Sequence, residues 1–340
     1  MPPFPGSIVK LFKPGAPFLK RGKLFPLIAF KDGQPVGRIA AIVNEAHNKY
    51  YQDKVGFFGF FDFVDDLEVA RALISEASEI LRKEGLTALR GPYSPSSNDE
   101  CGLLVEGFDL PPMIMMPYNP PYYEKIYQQL GLDRVRDLHA YYLRSDIGVP
   151  EKISRVVERV KKRSGITFRN IDLSRMDDEL KIIEDLYNSS IKRNWGFVPI
   201  TYEELQFASE DLKQIVQPEL VMIAEKEGKA IGFSMVLPNI NEFMLRAKKY
   251  KGLLRVLNFV WSLKTGKTSE ARLALLGVKP EYENLGIPAV FYFESIQRSK
   301  NKLVGGELSW IEESNLPMIR SLELMGAKRY KNYRIFEKAL

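Results

Sequence analysis

Along the second half of the chain, apolar positions switch between a period of two and a period near 3.6, the marks of strands and amphipathic helices. Residues 165–173 (GITFRNIDL) read as a strand, and 177–194 and 201–216 (TYEELQFASEDLKQIV) as helices. Residues 220–237 (LVMIAEKEGKAIGFSMVL) read as two strands around a Glu-Gly-Lys turn, a hairpin signal. A buried strand at 271–278 (ARLALLGV) follows, then a helix at 288–302 with proline in its first turn, then a strand at 305–314. The predicted order is β-α-α-β-β-β-α-β-α-β, a mixed α/β domain.

The end of this pattern occurs twice. Residues from Asn119 (NPPYYEKIYQQLGLDRVRDLHAYYLR) and from Asn315 (NLPMIRSLELMGAKRYKNYRIFEK) share one plan at a period of about 195 residues. Each has Asn, a proline, a helix of about three turns, a Leu-Gly or Met-Gly stop, a basic turn and an alternating aromatic strand. The glycine after each helix predicts a left-handed cap. Two copies at so long a period mean two like domains, not a solenoid.

The N-terminal copy follows the same order from its hairpin at 27–43, through a strand at 55–64, a helix at 66–85 and a strand at 87–94. Its first strand and helices are missing, or replaced by the proline-rich residues 1–26. A charged helix at 149–165 joins the copies, and the boundary is expected near 147, giving domains 1–147 and 148–340. Residues 238–267 interrupt the C-terminal copy with a basic amphipathic segment.

Composition adds exclusions. The 340 residues suffice for two cores. The net charge of +6 suits anionic ligands such as CoA or phospholipid surfaces. The charges are spread out, without zinc-finger spacing, an RNP-like motif or a long basic arm, which argues against a nucleic-acid partner. A single cysteine, Cys101, excludes a disulfide framework, and His47 and His139 alone make a histidine-rich metal site improbable, so no metal is expected. The proline-containing start does not read as a signal peptide, and no stretch approaches the ~20 apolar residues of a membrane span. A cytoplasmic location is expected, with peripheral contact at the inner face of the membrane as a further option.

The element order, with LGVKPEYENLGI ahead of the helix at 288 and SNLPMIRSLELMGAKRYKNYRIFEK at the end, resembles the GNAT superfamily of acyl-CoA-dependent N-acyltransferases. The likeness covers nearly all of 165–340 and, more weakly, 27–145. The whole chain is similar to a group of bacterial tandem-GNAT proteins sharing stretches such as GRIAAIVNEAHN and NWGFVPIT, some linked to ceramide synthesis. The resemblance implies two GNAT-like domains, each a mixed central sheet flanked by helices. It also implies an acyl-CoA or acetyl-CoA donor, or an acyl carrier protein, and a small-molecule or lipid amine as acceptor. In that superfamily a turn of Gln or Arg, two residues, Gly, one residue, then Gly or Ala holds the CoA pyrophosphate. Here the corresponding positions are Glu283, Gly286 and Pro288. The expected cofactor contacts are Leu276, Gly277 and Val278, with the Val278 N–H at the oxyanion, and Asn284, Leu285, Gly286, Ile287 and Pro288. At Gly286 a Cβ is expected to obstruct the phosphate. The alternative is a turn kept only to pack helix on sheet.

Transfer of an acyl group from a thioester to an amine needs a neutral amine, an oxyanion donor and a proton for the leaving thiolate. GNAT enzymes often place a tyrosine for that last role four residues before the helix-ending glycine. The position holds Leu322 in the C-terminal copy and Tyr127 in the N-terminal one, where the other reading is a core aromatic. The polar stretch 96–123 supplies Asn98 as a substrate contact and Asp99 and Glu100 as proton acceptors, or simply a solvated turn. Tyr118 and Asn119 stand at the mouth of the last helix, with Asn119 as substrate contact or cap. His47 titrates near neutrality and is a general base by type, or a structural histidine. Trp195 and Phe197 wall the acceptor side or staple a helix pair. Residues 246–264 could lie on an anionic bilayer, roof an acyl tunnel or pack on their own domain. The expected function is N-acyl transfer. The rivals are an inactive GNAT-fold scaffold and an aminoacyl transferase using tRNA.

Overall fold

A computed structural model describes residues 5–300 and 302–340. In chain order the elements begin with α1 (Pro5–Leu11), β1 (Gly22–Lys31), β2 (Gln34–Asn44), α2 (Glu45–Tyr51), β3 (Val55–Phe63), α3 (Leu67–Lys83) and β4 (Ala88–Gly91). Then come β5 (Tyr93–Ser94), β6 (Glu100–Cys101), β7 (Leu103–Glu106), α4 (Tyr122–Gln129), β8 (Asp133–Arg144), α5 (Glu151–Arg163), β9 (Ile166–Asn170), α6 (Met176–Ser190) and α7 (Tyr202–Leu212). The rest are β10 (Val221–Lys226), β11 (Lys229–Pro238), α8 (Asn241–Ala247), α9 (Gly252–Thr265), β12 (Glu270–Val278), α10 (Ile287–Ser299), β13 (Gly305–Glu312), α11 (Leu316–Leu324) and β14 (Lys328–Ala339).

The chain forms two compact units. One contains the residues up to His139 together with Trp195–Pro199 and Lys331–Leu340; the other contains Ala140–Asn194 and Ile200–Tyr330. A single cut near 147 therefore does not describe them. The reason lies in β14, whose residues 336–339 pair with β4 and so complete the first unit's sheet.

In the first unit the strands run β1-β2-β3-β4-β14, with β3 and β4 parallel and the other pairs antiparallel. The β1–β2 hairpin turns at Asp32 and Gly33, with φ of 51° and 75°. Such a turn matches the right-handed twist of its strands. Asp66 caps α3 by accepting the Glu68 N–H. Val69, Ala70, Leu73, Ile74, Ala77 and Leu81, spaced at helical intervals, are buried in one cluster with Ile39, Phe58 and Tyr127. Each large side chain so buried contributes roughly 1.5–3 kcal/mol.

In the second unit the order is β13-β12-β11-β10-β9, with only β12–β13 parallel. Its hairpin turns at Glu227 and Gly228, with φ of 52° and 73°, the same device as in the first unit. Thr201 and Glu204 form a reciprocal capping box at the start of α7. Helix α5 packs on α10 through Val157, Val160, Ile287, Val290 and Phe291. The two repeat glycines, Gly131 and Gly326, both take left-handed conformations (φ 71° and 87°) as the pattern predicts.

Candidate functional site

The central strands of each unit part after a few residues. In the second unit β12 and β13 pair in parallel from Glu270↔Gly305 to Leu273↔Leu308, while β12 runs on to Val278. At the point of parting Ala274 is a bulge, because Leu273 faces Val236 and Leu275 faces Met235 on β11. A bulge bends its strand and re-aims the groups beside it. Ala271 and Arg272 are buried, whereas Leu273, Ala274, Leu275 and Leu276 are only half-buried. The Lys279 N–H donates to the Ile231 carbonyl on β11 (2.8 Å). By strand alternation the N–H groups of Val278 and Leu276 then point away from β11, into the gap. Two donors so aimed beside half-buried apolar side chains suit the carbonyl of a linear thioester.

The first unit has the same parting, and it is filled. Pairing of β3 with β4 stops at Phe57↔Arg90, and β3 carries an irregularity opposite Arg38 and Ala40. Gly59 lies so close to the next segment that a Cβ would stand 1.3 Å from the Tyr93 carbonyl oxygen. The Phe60 N–H donates to the Ser94 hydroxyl (3.2 Å). Chain 93–94 thus closes the gap between the central strands of this copy.

A buried polar cluster sits where β12 and β13 separate. Arg272 Nε donates to the Ser309 hydroxyl (2.8 Å), and its guanidinium lies 3.7 Å from Glu307. The Ser309 and Tyr330 hydroxyls both donate to the Glu307 carboxylate. Glu307 is wholly buried, and a buried carboxylate persists only with such partners. Two hydroxyls donate to this carboxylate, and the Tyr330 bond is a direct connection along which a proton can reach it.

The glycine turn after β12 differs from its expected use. Gly286 has φ +79°, which favours glycine by itself, and a Cβ there would meet Val156 Cγ1 of α5 at 2.8 Å. The close approach is to a helix, so the expected obstruction of a phosphate by that Cβ is replaced by a clash within the fold. Glu283 is exposed and turned outward, 3.4 Å from Arg193. Pro288 lies in the first turn of α10, and the Ala289 N–H is taken by the Gly286 carbonyl (3.1 Å). Of the four expected N–H contacts, those of Leu285 and Gly286 are engaged by the last turn of a 3-10 helix over Pro280–Leu285, whereas Ile287 opens α10 and Asn284 lies within the 3-10 turn. Close by in sequence, Lys279 lines a depression of about 350 Å³ with Lys181, Ile182, Asp185, Lys229 and Ala230. Its ammonium bonds Asp185 (2.7 Å).

The candidates in the first unit resolve individually. Tyr127 is fully buried among Phe58, Phe61, Tyr123 and Phe336, and burial pushes its phenol well above the usual range. Its hydroxyl is walled off from any cleft, which corrects its assignment as an acid. His47 is buried against Tyr51 and Phe57, with Nε2 3.4 Å from Asp53; burial lowers its pKa to about 4 despite that neighbour. So low a value makes it a poor base and supports the structural reading. Asn119 caps nothing: its amide accepts the Leu104 N–H (2.8 Å) and donates to the Leu104 carbonyl (3.1 Å), like a missing strand partner. Its counterpart Asn315 does cap α11, through the Met318 N–H.

Asp99 lies in a turn closed by the Ser96 hydroxyl (2.7 Å), and Glu100 opens β6 opposite Ser94. Tyr118 donates to the Phe108 carbonyl (2.9 Å). Cys101 is buried, a small packed residue. The structure does bring Asn98, Trp195 and Phe197 together. Asn98 bonds the Val198 carbonyl (3.3 Å), and Ser97 bonds the Gly196 carbonyl (2.5 Å). Trp195 lies between Arg90 and Arg136 at 5.7 and 5.5 Å, while Phe197 meets Tyr50.

No family model matches the chain. It is 35% identical over 319 residues to Protein YghO of Escherichia coli, spanning 92% of this chain and 81% of that protein. It is 32% identical over 330 residues to Bacterial ceramide synthase of Caulobacter vibrioides, spanning 95% and 86%. A solved tandem GNAT protein from the clavulanic acid biosynthesis pathway matches 99% of this chain and 88% of its own, with a TM-score of 0.58 at 14% identity. The chain belongs to one family with these two relatives, that of the bacterial ceramide-synthase-like proteins. Its fold is the tandem GNAT fold.

For this tandem-GNAT protein, sequence reading passed over Arg272, Glu307, Ser309 and Tyr330. A signal was present: ARLALLGV holds Arg272 in an otherwise apolar strand, and GGELSWIEES holds Glu307 two positions before Ser309 in its neighbour. A charge in a buried strand needs a partner, and two such strands adjacent in one sheet supply it.

Proposed function

We propose that the second unit transfers an acyl group from a thioester to an amine, with the donor arm lodged between β12 and β13. The observation that carries this reading is the half-buried run 274–276 beyond the last paired residue, against the filled gap of the first unit. The amine nitrogen attacks the thioester carbonyl carbon, and the N–H groups of Leu276 and Val278 stabilise the oxyanion. Tyr330 takes the amine proton as its own passes to Glu307. The C–S bond then breaks, and the thiolate leaves to be protonated by solvent. The N-terminus of α10 and the lysines around Lys279 favour the phosphate end of the donor, whether CoA or the phosphopantetheine of an acyl carrier protein. One relative is named a ceramide synthase, which supports a long acyl chain and a lipid amine as the finer assignment.

Calorimetric titration with CoA and palmitoyl-CoA tests the donor. Saturable binding of palmitoyl-CoA is expected, and Leu276→Trp should abolish it by filling the slot while leaving the fold intact. No heat from either ligand at millimolar concentration would leave the scaffold reading in its place.

A further inference from the structure

Residues 241–267 carry seven basic side chains (Arg246, Lys248, Lys249, Lys251, Arg255, Lys264 and Lys267) against one acid, Glu242. That surplus equals the net +6 of the entire chain, so the remaining residues balance. The one acid is engaged: Glu242 accepts the Ser269 and Glu270 N–H groups (both 2.9 Å) and pairs with Arg246. Helices α8 and α9 pack on each other through Phe243, Ala247 and Phe259, with Leu263 beside them. At roughly 100° per residue, Leu253, Leu254, Leu257, Val260 and Trp261 fall on an adjoining arc of about 120°. All five are exposed, Leu253 at 72% and Trp261 at 65%. An apolar stripe this wide on a charged segment is unlike the scattered apolar residues of an ordinary surface.

We propose that α9 docks in the interfacial layer of an anionic bilayer, with the Leu253–Trp261 face among the acyl chains and the basic residues against lipid phosphates. Its 14 residues span about 21 Å, short of the ~30 Å hydrocarbon core, so it can lie in the surface but not cross it. Among the described residues no helix is long and apolar enough to cross a membrane. Lys264 shares the apolar arc in the last turn, where its stem can lie flat and its ammonium reach the headgroups. An anionic bilayer meets both halves of this surface at once, and the near absence of acids removes what would repel it. Docking is independent of whether the second unit transfers acyl groups.

The test is co-sedimentation of the full chain with vesicles of phosphatidylglycerol and phosphatidylcholine in equal parts, against phosphatidylcholine alone. Binding to the anionic vesicles should be at least about tenfold tighter and weaken with salt. Tryptophan emission should shift to the blue on binding, and Trp261→Phe should remove most of that shift. The pair Leu254→Ser with Leu257→Ser, and the triple Lys248→Gln, Lys249→Gln and Lys251→Gln, should each weaken binding at least about tenfold. Both sets leave thermal unfolding unchanged, because these side chains are exposed. Failure to sediment, equal binding to neutral vesicles, or variants that bind like the parent would overturn the proposal. So would a dimer, seen by light scattering, that the leucine pair dissolves.

Discussion

Single side chains show why residue type alone did not locate the chemistry. His47 has the right intrinsic pKa for a base, yet burial drives it to about 4. Because the folded value lies below the unfolded 6.5, the unfolded chain takes up the proton first. Stability from the neutral ring is therefore full above pH 6.5 and is lost as pH falls towards 4, by up to ~3 kcal/mol. Urea unfolding at pH 7 and pH 4.5 should show that loss, and His47→Phe should flatten it. The two tyrosines make a second contrast. Tyr127→Phe should leave turnover unchanged and stability equal or higher, since it removes a buried hydroxyl without a hydrogen-bond partner among the described residues. Tyr330→Phe should lower kcat by roughly a hundredfold with palmitoyl-CoA binding intact. Equal effects of the two substitutions on turnover would remove Tyr330 from the proton path.

At the scale of elements, strands and helices were legible where local chemistry decides them. The Glu-Gly-Lys turn, the glycine stops after α4 and α11, and the proline opening of α10 all appear where the pattern put them. The partner of each glycine was not legible. The spacing at Gly286 points to a phosphate, and only the fold shows Val156 there instead. Gly286→Ala should accordingly destabilise the second unit by about 1–3 kcal/mol, from positive φ and overpacking together, and this should appear in chemical denaturation without any ligand present. Nor could periodicity distinguish the two gaps between central strands. Both copies carry an irregular central strand and a parallel neighbour, and what differs is a carbonyl from Tyr93 resting where Gly59 has no side chain.

On the scale of the molecule, the repeat was visible in the sequence but the membership of its last strand was not. An alternating aromatic strand looks the same whichever sheet receives it. Residues 331–340 belong to the first unit, where Tyr333, Ile335 and Phe336 are buried and Arg334 bonds Asp137 (2.7 Å) and Glu124 (2.6 Å). Removing these ten residues should therefore expose the first unit to protease, with cleavage mapping before residue 139, while helices of the second unit persist. Cleavage confined to the second unit would contradict this. The same arrangement orders events at the ribosome. The first unit must wait, its sheet one strand short, until residues 331–340 have been made.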